Sequence, residues 1–366
     1  RAIVRAKGRI PSFGERGLIL EKNKYLLVKG IAGLGNRILC LLTAILYARL
    51  TGRRLLVDWR DPSYSEDGAN VFHRYFLCKL CNARDEIPIT GSIRPNIWRG
   101  HLHDSAGSME YSYAEVDGNP EIWRKFSVDL SKIDYPEEVL VMWSYYAQLD
   151  ELRTHFRDDC KDLRWTSTKA ILRNLMREHL ILHPSIQQRV DRFKARRFNR
   201  KTVGVHVRYT DKKTRLPAIL RKLEALLRRE PGLQIFLATD SLQVHNIFTE
   251  KYSCVVSTPK WYPTTGISMH QNPACPNRTE EGVSALMDLY LLAACDYLIL
   301  DESSSFSYLA SLLTNAGRSH VFNVQRGRLL PSQVRHLLWL ITIRLHRGLH
   351  RAWRKNGCIK WTRSLC

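Results

Sequence analysis

The sequence predicts an α/β protein made of two Rossmann-like halves, each a parallel, doubly wound sheet, with a cleft where they face each other. Three observations carry that prediction. Short apolar runs alternate with stretches of helical periodicity, the pattern of parallel strands joined by crossover helices. The chain has 366 residues, a length that favours two domains over one. Its composition, 44% hydrophobic and 25% charged, is that of an ordinary globular protein and excludes a disordered, collagenous or coiled-coil chain.

Tyr25 to Lys29 (YLLVK) reads as a buried strand. A turn with Gly30, Gly33 and Gly35 follows, then a helical pattern from Arg37 to Thr51 that Gly52 closes. Arg54 to Asp58 (RLLVD) completes a βαβ unit whose glycine turn lies at the carboxyl end of its first strand, where open α/β sheets bind ligands. Gly33, Gly35 and Asn36 are therefore candidate ligand-binding residues, although a tight turn alone also calls for glycine.

The second half repeats the alternation. Its strands are Thr202 to Val207, Leu233 to Thr239, Cys254 to Ser257, Tyr297 to Leu300 and His320 to Val324. The helices between them are Ala218 to Arg229, Leu242 to Glu250, Val283 to Ala294 and Ser305 to Leu313. A charged helical connection, Lys161 to Asn199, is interrupted at Pro184. The expected domains are residues 1–180, residues 181–332 and a tail over 333–366.

A formal net charge of +22 points to anionic partners: nucleic acid, a phosphorylated ligand or an anionic membrane face. No acidic residue follows Glu302, while eleven Lys and Arg do. In the tail Leu337, Ile341, Leu345, Leu349 and Trp353 recur at four-residue spacing between arginines, a basic amphipathic helix that either packs on the body or touches anionic lipid. No nucleic-acid reading motif accompanies the charge, so specific nucleic-acid binding is the weaker reading. Nine cysteines, an odd number at wide spacing, lean towards a reducing compartment and a cytoplasmic location, with peripheral contact at the inner membrane face if the tail binds lipid. Cys78 and Cys81 read as ordinary thiols. No apolar run reaches the ~18 residues of a membrane span. The numbering begins at Arg1, which leaves room for a targeting segment upstream.

The segment Val203 to Lys212 (VGVHVRYTDK) is the most informative. Arg208 leaves the carboxyl end of a parallel strand, and a guanidinium there can fork onto a diphosphate. The alternative is a surface arginine paired with Asp211. Ser303, Ser304 and Ser305 precede a helix and would join its N–H groups in an anion site, or merely cap it. Asp288 lies in an apolar helix and needs a donor: a lysine, an arginine, or the N–H edge of a guanine. No D-x-D triplet is present to hold a cation against a nucleotide diphosphate, so the leaving charge falls to arginine and helix N-termini, without metal. A reacting hydroxyl must lose its proton, and Asp58, Asp61, Glu66 and Asp67 cluster where they could face the cleft. The long segment Thr258 to Gly282, with His270 and Asn272, reads as a loop over the donor or beside the acceptor.

The motifs GIAGLGNR at Gly30 to Arg37, DWR at Asp58 to Arg60, HVRYTDK at His206 to Lys212, LATD at Leu237 to Asp240 and SALMDLYLLA at Ser284 to Ala293 together resemble the α-1,6-fucosyltransferase family. The likeness is to its rhizobial nodulation protein Z branch and, more distantly, to the N-glycan core fucosyltransferases. It implies a GT-B-like fold with GDP-fucose in the C-terminal half, and inverting transfer to a sugar hydroxyl, usually a GlcNAc 6-OH. It further implies that Arg208 binds phosphate, that His206 and Asp288 hold guanine, that Ser304 and Ser305 contact the β-phosphate, and that Asp211 and Lys212 end the catalytic motif. Asp58, Arg60, His270 and Asn272 remain as acceptor candidates. Tyr209 stands where the core enzymes carry a second arginine, and no acidic residue follows Lys212 before Glu224, so the motif supplies no general base. The same fold using another nucleotide sugar is the nearest alternative.

Overall fold

The computed structural model describes residues 20–82, 85–109, 122–156 and 163–325. They fall in one compact unit that ends at Gln325; the expected amphipathic tail, 333–366, lies outside the described residues.

In the first half β1 (Tyr25–Lys29) leads into α1 (Leu34–Thr51) and β2 (Arg54–Asp58), followed by β3 (Phe76–Cys78), β4 (Ile93–Arg94) and β5 (Val139–Met142). β2, β1, β5 and β4 lie in that order in one parallel sheet. The sequence pattern missed β4 and β5. Val139 to Met142 is an apolar run, but no helical pattern precedes it to mark a crossover unit.

The charged connection contains α2 (Thr168–His179), the short β6 (Leu180–Leu182) and α3 (Pro184–Arg197). Pro184 starts a helix there, since its missing N–H is harmless in the first turn. β6 pairs antiparallel with β3, so this connection is stitched to the first half.

The second half runs β7 (Thr202–Val207), α4 (Leu216–Arg229), β8 (Gln234–Thr239), α5 (Leu242–Lys251), β9 (Val255–Val256), α6 (Arg278–Ala293), β10 (Tyr297–Leu300), α7 (Ser305–Leu313) and β11 (Val321–Asn323). Its five strands form a second parallel sheet in the order β11-β10-β7-β8-β9. β7 is buried along its whole length, so the Gly204 and His206 that alternate with its valines are buried as well. α6 begins five residues earlier than its apolar pattern, because its first turn is polar and is capped by Asn277.

α1 is long and apolar enough to cross a membrane by length and composition, yet its apolar window is 78% buried inside the protein. It belongs to a hydrophobic core that runs continuously from Leu41 and Leu42 to Leu309 and Leu312 on α7, so the two sheets share a core at their junction. That junction brings the carboxyl ends of β1 and of β7 and β10 to the same cleft.

Candidate active site

A cavity of about 330 Å³ occupies the cleft. At one end two helices start. α1 begins after Gly33 and α7 after Ser304, so two positive dipole ends converge, with the Leu34 N–H of α1 donating to the Tyr64 hydroxyl at 2.9 Å. Gly35 is what lets them meet: a Cβ there would lie 2.5 Å from Ser305 Oγ and 2.8 Å from the Phe306 nitrogen. Ser305 Oγ donates across the junction to Asn36 Oδ1 at 2.5 Å. The Ser304 hydroxyl lines the cavity and is buried without a partner, which an anion would supply.

Arg208 faces this end from the turn after β7. Its Nε and Nη2 donate to Asp211 at 2.9 and 2.5 Å, so the ion pair considered from the sequence exists, and it leaves Nη1 uncommitted. Burial pushes the Asp211 carboxyl up, but Arg208 outweighs it and the net shift is down. Asp240, after β8, accepts from Tyr209 N and Thr210 Oγ1, each at 2.6 Å, and fixes the turn that aims Arg208.

The other end suits a planar base. The His206 ring lies 5.0 Å from Phe306, and its Nδ1 is 2.6 Å from Ser307 Oγ. Burial, with Arg208 and Lys260 nearby, lowers its pKa to about 3, so the ring is uncharged at neutral pH. Asp288 has its donor: Oδ1 accepts from Thr258 Oγ1 at 2.6 Å and Oδ2 pairs with Lys260. Both ionic side chains are nearly buried, at 4% and 6% exposure, yet both line the cavity. Glu281 completes this corner, its Oε2 buried without a partner and its carboxyl raised by burial.

The loop between β9 and α6 forms the remaining wall through Ser268, Met269, His270 and Gln271. The His270 ring stacks parallel to Tyr64, 6.1 Å away and 7° off plane. Burial, then Arg37 and Arg208, lowers its pKa to about 4.

Gly33, Gly35, Asn36, His206, Arg208, Asp211, His270, Asp288, Ser304 and Ser305 thus meet at one cavity. Four candidates do not line it. Lys212 donates to the Ser303 carbonyl at 3.2 Å, and Asn272 is buried in its own loop, bonded to Thr265 and the Ala274 nitrogen. Asp58 is 3% exposed and bound by Lys29 at 2.7 Å and by Arg60 Nε at 2.9 Å; burial raises its pKa but the two cations together lower it. The other acids of that cluster are also engaged. Asp61 pairs with Arg37, Asp67 accepts from Ser65 and Arg74, and Glu66 accepts from the nitrogens of Arg278 and Thr279, capping α6 from across the cleft. Sequence reasoning missed Lys260, Tyr64, Glu281 and the placement of Asp240. Lys260 in particular sits in an irregular loop where no periodicity marks it.

Comparison with known proteins gives the fold and the family. The chain is 27% identical over 325 residues to nodulation protein Z of Azorhizobium caulinodans, covering 81% of this chain and 90% of that one. It is 26% identical over 317 residues to nodulation protein Z of Bradyrhizobium diazoefficiens, covering 80% of each. The fold is similar to that of a NodZ α-1,6-fucosyltransferase soaked with GDP-fucose, with a TM-score of 0.55, 23% identity, and coverage of 80% of this chain and 93% of the other. An Arabidopsis thaliana FUT1 mutant in complex with GDP superposes with a TM-score of 0.51 at 16% identity, covering 80% of this chain and 69% of that one. These neighbours make the fold a GT-B-like one. The family model of nodulation protein Z (NodZ) matches residues 144–336, more than half of the sequence, and the chain belongs to that family.

Proposed function

We propose that this protein transfers L-fucose from GDP-fucose to a sugar hydroxyl of an oligosaccharide or glycoconjugate, the 6-OH of GlcNAc, with inversion and without a metal ion. The observation that carries the proposal is one cavity with a base-reading end, Asp288 with His206, and an anion end, Arg208 between two helix N-termini. A nucleoside diphosphate matches that polarity. The names of the relatives, nodulation protein Z and a NodZ α-1,6-fucosyltransferase soaked with GDP-fucose, supply the sugar.

In this reading the acceptor oxygen forms a bond to the sugar's anomeric carbon as the bond to the β-phosphate breaks. The departing charge is met by Arg208 Nη1, by the Ser304 hydroxyl and by the N–H groups of α1 and α7. His270, uncharged at neutral pH and with no hydrogen bond to its ring nitrogens among the described residues, accepts a hydrogen bond from the incoming hydroxyl and takes its proton as the new bond forms. The GlcNAc acceptor and the metal independence rest on the family resemblance and on the missing D-x-D triplet.

A thermal-shift panel of GDP, UDP, ADP and CMP tests the donor, since a ligand at ~100 times its Kd adds roughly 2.7 kcal/mol of stability. GDP alone should stabilise; UDP or CMP alone would favour another nucleotide sugar on the same fold. Activity that survives EDTA supports the metal-free reading, and activity restored only by manganese or magnesium rejects it.

A further inference from the structure

Lys260 lines the cavity beside Asp288, and the pair presents its polar atoms in a fixed order. Asp288 Oδ1 is held by Thr258 Oγ1 at 2.6 Å, and Oδ2, on the other side, is the oxygen that Lys260 Nζ contacts. Along the wall the sequence is acceptor, acceptor, cationic donor. The edge of a guanine reads N2–H, N1–H and O6, which is donor, donor, acceptor in the same order. Adenine offers a donor at position 6 and a bare nitrogen at position 1, the reverse at both places.

We propose that Lys260 is a specificity-determining residue that donates to guanine O6, while Asp288 accepts from N1–H and N2–H. This rests on the reading of the cavity as a GDP-sugar site. Each carboxylate oxygen has room for a second hydrogen bond, so neither Thr258 nor Lys260 need leave Asp288 when the base arrives. Lys260 then has two tasks, neutralising a buried carboxylate and reading position 6. The unpartnered Oε2 of Glu281, whose carboxyl Lys260 also influences, helps hold an ammonium in this corner. A bond from a buried cation to a carbonyl oxygen is worth roughly tenfold or more in affinity, enough to separate bases of nearly equal shape.

The experiment is calorimetric binding of GDP, 6-thio-GDP and IDP to the wild-type chain, Lys260→Met and Lys260→Gln. The thio analogue weakens the acceptor at position 6 while keeping both N–H donors; IDP removes only the 2-amino group. Wild type should bind GDP roughly tenfold more tightly than 6-thio-GDP. Lys260→Met should bind the two equally while keeping its preference for GDP over IDP, which belongs to Asp288. Lys260→Gln, which keeps an N–H without the charge, should retain part of the preference for oxygen and serves if the Met variant does not fold. A GDP to 6-thio-GDP ratio that is the same in wild type and variants overturns the proposal. So does tighter GDP binding by Lys260→Met, which would make the lysine an occupant of the empty site. Failure of wild type to bind any of the three, with binding of UDP, would instead overturn the donor reading itself.

Discussion

Lys29 and Asp58 end β1 and β2 in one half, while His206 and Arg208 stand at the end of β7 in the other; both sets occupy the ligand edge of a parallel sheet. Lys29 turns inward, binding Asp58 and the carbonyls of Leu102 and Asp104 at 2.6 and 2.8 Å, with Arg60 on the far side of the same carboxylate. Arg37 and Asp61 are also buried against each other, although Arg37 Nη1 has no partner among the described residues. In the second half Arg208 keeps Nη1 free, Ser304 keeps its hydroxyl free, and His206 stays neutral. Position at a strand end therefore marks where a site can be. What separates Lys29 and Asp58 from Arg208 and Ser304 is whether the polar group's capacity is already filled by the protein.

That contrast can be broken most sharply at Asp58. Asp58→Ala leaves Lys29 buried without its carboxylate and should cost ~3–5 kcal/mol in urea unfolding, with GDP affinity of the folded protein unchanged. A variant of normal stability that can no longer be saturated with acceptor would return Asp58 to the site.

Arg208→Ala should do the opposite, lowering kcat ~10²- to 10³-fold with an unchanged Tm. Arg208→Lys should be nearly as slow, since an ammonium cannot hold Asp211 and phosphate together. Near-normal turnover of the alanine variant would remove Arg208 from the mechanism.

Gly35→Ala probes the seam between the halves. The added methyl meets the backbone of α7, so the two helix N-termini must separate, at about 1–3 kcal/mol of stability and with weaker GDP binding. Loss of stability with full GDP affinity would show that the anion end does not depend on their contact.

Glu66→Gln tests the cap that the first half places on α6, the helix of Asp288. About 1 kcal/mol should be lost, together with a higher donor KM and little change in kcat. An equal fall in kcat and kcat/KM would place Glu66 at the reacting atoms instead.

Acid should act on the cavity before the scaffold's ion pairs. His206 and His270 have folded-state pKa values lowered from 6.5 to about 3 and about 4, so the unfolded chain binds protons first. Their contribution is full above pH 6.5 and lost as pH falls towards 4, at up to ~1.4 kcal/mol per pH unit for each histidine. Urea unfolding at pH 7, 6 and 5 should show the decline, and His270→Asn should flatten it.

Much of this was legible in the chain. β1, β2, β7 and β10 match their predicted runs residue for residue, because strands buried on both faces leave a strong apolar signal, and the half-exposed edge strand β11 matches within one residue at each end. Residues that leave those strands or open the following helices, Gly33, Gly35, His206, Arg208, Ser304 and Ser305, were found because strand ends and helix starts have local signatures. Lys260 and Tyr64 have none, since each reaches the cavity from an irregular loop whose path is set by packing.

The sequence by itself determined two parallel sheets, the placing of Arg208 and of Ser304 and Ser305 at their edges, and the family to which the chain belongs, because periodicity and short motifs are local properties. Tertiary structure alone decided how the acidic cluster is engaged. Asp58, Asp61 and Glu66 look alike in sequence, and only the approach of Lys29, Arg37 and the α6 N-terminus, each at least 24 positions away, assigns the first two to ion pairs and the third to a helix cap. Charge neutralisation in a low-dielectric interior acts over a few ångströms of space, whatever the separation along the chain.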